Sequence, residues 1–545
     1  MLVGVGLRLW QYAAAPSLWV DEAALARNVL DRGAGELLRP LDYGQVAPPG
    51  FLLTLKASVA ALGESELALR VFPIVAGVGS VGLFLWVAHA TLAPVPALVA
   101  LTLFSTAMPL VYYSSNLKQY SSDVAATLVV VVLTLQVISR TLTLRSTLGL
   151  AAGAALILLC SQGSIFALTA AGMVVAADSF ASRREDLHLR LLLVALWAVI
   201  SAASLWHGFA SMTPQDSVYL RRFWGYAFAP HTDVLGWFWK ELCGIYGPPS
   251  PNPYTGSLLY RWPVLFVGLA AVGAASLARI RPLLAGILVG PVVLTMVAAV
   301  AHAYPFGRRV SLFLLPLFIL LSVAGAQCLG RLVFRSNVGT WITVLLLPLA
   351  LVGVWNNPPP YAPEHLRPVM EHLSAKWKKG DALWVYYGAG QSFEYYRRRF
   401  PITGDVQVGA CSRRDLRTYL KQVDDFRGRP RVWILLAHEW AISGVSERRT
   451  IVDYLDAIGT RRDQFHAPQD DRASGRAEVL LYDLSQRKKL RTLTAKRALL
   501  PAVRQGDAWA CYGTMSPLHL GDRASRPPGN RPSKMNPNAV SGNRY

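Results

Sequence analysis

Charged residues are scarce in this chain. They make up 16% of its 545 residues, where a soluble protein carries about a quarter. Acidic groups are the scarcer sign, with 33 Asp and Glu against 54 Lys and Arg, a formal net charge of +21. That composition excludes an ordinary soluble globular protein. The basic excess sits in short loops and in the last third with no nucleic-acid motif beside it, so nucleic acid is not an expected partner. The five cysteines, Cys160, Cys243, Cys328, Cys411 and Cys511, include no CxxC and no Cys/His cluster. A metal site or a disulfide framework is therefore not indicated, although Cys411 and Cys511 can pair if their domain lies outside the cytoplasm. The run to Pro16 has no basic leader, so a signal peptide of the usual form is not expected there. The opening apolar run, Met1 to Ala15, is shorter than the ~20 residues that cross a bilayer, and points to a true start upstream.

What the chain has instead is apolar runs. Beyond the first, they cover Leu69–Ala90, Ala93–Tyr112, Val124–Ile138, Leu148–Cys160, Ile165–Ala177, Leu189–Trp206, Leu259–Leu277, Leu283–Ala301, Val310–Cys328 and Trp341–Val354. The expected fold is mainly α: a polytopic helical membrane domain of about eleven spans with interfacial helices, plus a small external α/β domain. Loop charges give the orientation. Arg140 and Arg145, then Arg183, Arg184 and Arg190, then Arg279 and Arg281, then Arg331 and Arg335 fall on alternate loops, the cytoplasmic side. The other loops hold Asp21-Glu22, the segment Tyr112 to Asp123, the aromatic-rich His207–Tyr260 and His302–Arg309, and eleven spans leave the last third outside as well.

The expected domains are a membrane domain over 1–355, an external α/β domain over 356–486 and a basic, disordered tail over 487–545. In the second, His365–Trp377, Arg413–Phe426 and Ile451–Ile458 read as helices, and Ala382–Gly388, Arg431–Leu436 and Glu478–Leu484 as strands. The first outer loop holds amphipathic pieces, Glu22–Leu30 and Phe51–Leu62, that read as helices lying along the interface. The loop His207–Tyr260 has the aromatic composition of a membrane anchor.

Asp21-Glu22 directly follow the first apolar stretch, beneath Trp19. A carboxylate at a membrane–water boundary is half-desolvated, which makes it a good base. Three stretches around this pair carry a resemblance: Leu18 to Glu22 with Asp42 to Gly50, Tyr112 to Asp123, and Tyr304 to Arg309. With a long first outer loop, many spans and an external C-terminal domain, they resemble the C-type membrane glycosyltransferases. That superfamily includes protein O-mannosyltransferases, lipid A aminoarabinose transferases and a large bacterial group of related sequences.

The resemblance implies transfer of a sugar from a polyprenyl-phosphate donor to a hydroxyl of a lipid, glycan or protein acceptor. It places the reaction at the outer face of the bacterial cytoplasmic (inner) membrane, with inversion at the anomeric carbon. It makes Asp21 the base. A divalent metal is conceivable in such a site, but the position of a second acidic ligand is held by Asn116, which weakens that expectation. No cofactor is otherwise implied.

The chemistry itself asks for a base within hydrogen-bond reach of the acceptor hydroxyl and for cations on the departing phosphate. Asp21 suits the first role, and Glu22 can orient it or bind a sugar hydroxyl. Lys118 and one of Arg308 and Arg309 suit the second, since a guanidinium matches phosphate oxygens with two donors. Tyr120 and Tyr304 can hydrogen-bond phosphate or stack on the sugar, and Asp42, Tyr43 and Gln45 can touch substrate.

Plainer roles compete. Asp21-Glu22 can cap the following helix, Lys118 can snorkel, and Asp42 to Pro49 can be a simple turn. His302 reads as a local polar contact. Arg308-Arg309 stand on the side that the positive-inside rule disfavours, which argues for a use. A transporter or flippase of lipid-linked sugars is the alternative activity, but it would place charges near the bilayer midplane and show internal repeats. A membrane-anchored scaffold would leave the outer charges without a shared purpose.

Overall fold

The computed structural model describes residues 1–486 apart from 183, 247–261, 335–336, 363, 413–415, 440, 443–444 and 468–475. The tail after 486, Arg183, Arg335, Cys511 and the end of the aromatic loop lie outside the described residues.

Seven helices among these are long and apolar enough to cross a membrane: Val71–Thr91, Tyr120–Ser139, Ser164–Ala181, Leu187–Ala210, Pro263–Ile280, Pro282–Val300 and Arg308–Phe334. Shorter apolar helices cover Pro94–Thr106, Leu144–Cys160 and Thr340–Asn356. The first run becomes the helix Leu2–Ala13. The described parts of the eleven expected runs are thus largely helical, and the closely spaced pair around Cys160 forms two separate helices. Pro49–Leu62, expected to lie along the interface, is also short and apolar.

Small residues let some of these helices meet backbone to backbone. A Cβ on Gly273 would collide with the Leu321 carbonyl, and one on Gly325 with the Leu269 carbonyl. Pro263–Ile280 and Arg308–Phe334 are locked together there.

Among the described residues the C-terminal part carries seven strands: β1 (Ala382–Val385), β2 (Asp405–Val408), β3 (Val432–Leu436), β4 (Ala441–Ile442), β5 (Val445–Ser446), β6 (Thr460–His466) and β7 (Glu478–Asp483). Five form one mixed sheet in the order β2-β1-β3-β7-β6, and β4 pairs with β5 apart from it. β1 runs parallel to β2 and β3, whereas β7 is antiparallel to β3 and β6. Successive side chains on a strand point to opposite faces, and here both faces are buried. Trp384, Ile434 and Tyr482 pack with the helices Arg417–Asp424 and Glu447–Ile458. Leu383, Trp433 and Leu481 on the other face join a core with Leu366, Met370 and Phe393.

That second core does not end with the soluble domain. It continues into Leu18, Leu25, Val29, Phe51 and Leu55 of the first outer loop. The helix Val20–Asp31 is therefore buried against C-terminal residues.

Candidate functional site

Asp21 is the second residue of the helix Val20–Asp31, whose N-cap is Trp19. Its Oδ2 lies 3.1 Å from Arg309 Nη2, with the carboxylate 35% and the guanidinium 23% exposed. Arg309 comes from the turn Arg308–Leu314 at the head of the long helix ending at Phe334. Its guanidinium also lies over the Trp224 ring, 5.2 Å from the centroid. A cation over an indole face is held electrostatically by the ring quadrupole. Lys118, in the second outer loop, donates through Nζ to Gln45 Oε1, and its charge acts on Asp21. One carboxylate and two cations from three separate loops thus meet.

The charges set each other's protonation. Burial pushes the Asp21 carboxyl up, but Arg309, Lys118 and His438 together hold it below the usual carboxylate range. Burial pushes Lys118 down to about 8, with Asp21 opposing and Arg309 adding to the fall. Tyr113 and Tyr120 stand in the field of both Asp21 and Arg309, their rings 4.9 Å apart and edge to face.

Glu22 is placed differently from its neighbour. Arg70 clamps it with Nη2 at 2.9 Å from both carboxylate oxygens and Nε at 3.1 Å from Oε1. The Leu117 N–H donates to Oε1 at 2.6 Å and the Trp19 N–H to Oε2 at 3.1 Å. Arg70 is 1% and Glu22 3% exposed. This buried carboxylate ties the first outer loop to the second, directly beside Lys118.

The remaining expected residues divide. Gln45 reaches the site through Lys118, and its own Nε2 donates to the Tyr43 carbonyl at 3.2 Å. Tyr43 adopts φ +64 and lies under Arg27, 4.6 Å from the guanidinium. Asp42 pairs with Arg32 at 2.8 Å, and its backbone meets the Asn28 side chain. Tyr304 donates its hydroxyl to the Val310 carbonyl at 3.0 Å, so it braces the turn that carries Arg309. Arg308 is exposed, at φ +47, and lies over Tyr226 at 5.1 Å. His302 meets the Ala229 carbonyl at 3.2 Å.

The residues do not fit a divalent metal. Asp21 is engaged by Arg309, the position for which the resemblance implies a second acidic group is held by Asn116, and the described residues contain no group of three His, Cys, Asp or Glu able to hold an ion. No step below runs through a metal.

Several partners went unnoticed in the sequence. Arg70 carried a signal: like Arg308-Arg309 it is a cation at the outer end of a span. Trp224 and Tyr226, in the loop expected to anchor in the membrane, underlie the two arginines. His438 and Glu364, far along the chain, carried none.

No family model matches the chain, and no curated protein matches it. Solved structures do. ArnT from Cupriavidus metallidurans in the apo state is 12% identical, covering 90% of this chain and 98% of its own, with a TM-score of 0.46. The same protein bound to undecaprenyl phosphate gives 13%, 90%, 98% and 0.45. The oligosaccharyltransferase AglB from Archaeoglobus fulgidus, with an inhibitory peptide and a dolichol-phosphate, is 10% identical, covering 89% of this chain and 74% of its own at a TM-score of 0.45. ArnT and AglB are thus among the solved structures to which this chain is similar.

Proposed function

We propose that the protein transfers a sugar from a polyprenyl-phosphate donor to an acceptor hydroxyl at the outer face of the bacterial cytoplasmic membrane. The observation that carries this reading is the meeting of Asp21 with Arg309 and Lys118, drawn from three outer loops. A base and phosphate-binding cations at one point are what such a transfer needs.

In this reading Arg309 and Lys118 take the donor phosphate, whose charge grows as the bond to the anomeric carbon breaks. The acceptor oxygen attacks that carbon from the opposite side, which inverts it. Its proton passes to an oxygen of Asp21, and polyprenyl phosphate leaves. Gln45 holds Lys118 in place before the donor arrives. Glu22, saturated by Arg70 and two backbone N–H groups, positions the loop junction and does not touch substrate. Arg309 is a better phosphate partner than Arg308, because it is half-buried and already faces Asp21.

Mass-spectrometric comparison of envelope glycans and lipids, with and without the protein, tests the reading. A sugar substituent that disappears with the protein and returns with it supports transfer. An unchanged envelope in cells that express the protein contradicts it.

A further inference from the structure

The helix that carries Asp21 is held by the C-terminal domain. The Ser17 hydroxyl meets His365 Nδ1 at 2.6 Å, and Trp19 lies edge-on to the imidazole of His438 with ring centroids 5.1 Å apart. Glu364 Oε2 stands 3.3 Å from His438 Nδ1. Arg309, the partner of Asp21, is held from another side, by the helix Val234–Ile245 of the aromatic-rich loop.

That helix buries Trp237, Glu241 and Ile245, which at a spacing of four share one face. Trp237 and Ile245 join the apolar core that includes Phe306, and the rings of Trp237 and Phe306 are 6.3 Å apart. Trp237 Nε1 donates to the Tyr226 carbonyl at 2.9 Å, and the Phe306 N–H donates to the Ala227 carbonyl at 2.7 Å. The approach to Arg308-Arg309 is thus fixed to the segment whose Trp224 and Tyr226 lie under the two arginines.

Glu241 is the discordant member of this buried face. It is 4% exposed, yet its carboxylate makes no hydrogen bond or ion pair among the described residues. Buried polar groups are nearly always paired, so each exception asks for an explanation. Here it lies in Gly307. A Cβ on Gly307 would collide with Glu241 Oε2, so the carboxylate occupies the place where this residue lacks a side chain. Gly307 adopts φ +142 and Arg308 φ +47. Backbone of this kind persists where the surroundings over-determine it, and it clusters at functional sites. The determinants are Glu241 against Gly307 and the bond from the Gly307 N–H to Ser311 Oγ at 2.8 Å. The next residue along is Arg309, 3.1 Å from Asp21.

We infer that Glu241 is a positioning residue for the phosphate-binding arginine: seated against Gly307, it sets the turn that aims Arg309 at Asp21. This rests on the reading of Arg309 as the donor's phosphate partner, and it makes the aromatic-rich loop part of the reaction centre.

Phenylglyoxal labelling of the full chain in nanodiscs, followed by peptide mass spectrometry, reads how firmly each guanidinium is held. Arg309, 23% exposed, is accessible to the reagent. Arg70, 1% exposed, should stay unlabelled, which reports the intact fold. Glu241→Ala empties the place beside Gly307 and should label Arg309 about two- to fivefold faster, the effect of releasing a part-exposed ion pair. It should also bind undecaprenyl phosphate more weakly by a similar factor. Glu241→Gln, which keeps the shape, should match the parent in both.

Parent-like labelling of Arg309 in Glu241→Ala overturns the inference, as does labelling in Glu241→Gln as fast as in Glu241→Ala. If Glu241→Ala exposes Arg70 to the reagent, Glu241→Asp decides, since it only draws the carboxylate back by one methylene. Faster labelling of Arg309 there supports the role, and parent-like labelling rejects it. Faster labelling with undiminished lipid binding leaves the positioning role standing and rejects Arg309 as the phosphate partner. Parent-like labelling with weakened lipid binding rejects the positioning role alone.

Discussion

The Asp21 carboxylate and the Arg309 guanidinium meet at 3.1 Å. A carboxylate held by a guanidinium is a weak base, because the ion pair favours its ionised form. In the proposed reaction the donor phosphate competes for the same cation. Once phosphate takes Arg309, Asp21 loses a partner, gains a nearby negative charge and becomes more basic as its proton donor arrives. The order that follows is donor first, acceptor second.

Arg309→Gln should therefore weaken polyprenyl-phosphate binding and lower the transfer rate together. A charge-assisted bond to phosphate is worth about 1.5–3 kcal/mol, so about a tenfold to hundredfold loss of affinity is expected. Titration of undecaprenyl phosphate in nanodiscs measures it. Unchanged affinity would place the phosphate elsewhere.

Lys118 gives a pH dependence with a defined sign. Its ammonium is pushed down to about 8 by burial, so the free protein loses this charge as pH rises through that value. Donor kcat/KM, which reports the free enzyme's groups, should fall over the same range. Lys118→Arg keeps its charge and should hold donor kcat/KM level across that range. An identical basic limb in both proteins would remove Lys118 from donor binding.

Arg70 should matter for stability before it matters for catalysis. Removing it leaves Glu22 buried and unpaired, a loss of about 3–5 kcal/mol for such a pair. Arg70→Met should lower the melting temperature sharply, and the double variant with Glu22→Gln should recover part of the loss. Additive losses in the double variant would mean that the two side chains do not act as a pair.

Much of the architecture was legible because apolar runs are long and unambiguous. β1, β3 and β7 were legible for the same reason: each is an apolar run buried on both faces. β6 was missed. It reads Thr460-Arg461-Arg462-Asp463-Gln464-Phe465-His466, sits at the sheet edge and alternates between exposed and half-buried, so composition hid it. β2, the opposite edge, was lost likewise.

The site was legible where a charge broke a topology rule. Asp21, Lys118 and Arg309 fall on loops that the charge pattern assigns to the outer side, among few other charges. Glu22 shared the signal but not the role, since only the fold shows Arg70 closing on it. The grip of residues 365–438 on residues 17–19 spans more than three hundred positions. No local pattern encodes such a contact.

Topology is open to a direct check. A cysteine introduced at Gly404, in the loop before β2, should react with a membrane-impermeant thiol reagent in intact spheroplasts, as expected for a domain outside the cytoplasm. Protection until lysis would reverse the side assigned to the domain and to the helix Val20–Asp31, whose Leu25 and Val29 share its core.

The most direct test of the account is Asp21→Asn, assayed for transfer and for donor binding in the same preparation. The amide keeps the shape of the carboxylate and loses its basic oxygen. Transfer should fall about 10²–10⁴-fold, the contribution of a general base, while undecaprenyl phosphate still binds. Parent-like transfer in the Asn variant would contradict the assignment of Asp21 as the base, and with it the mechanism.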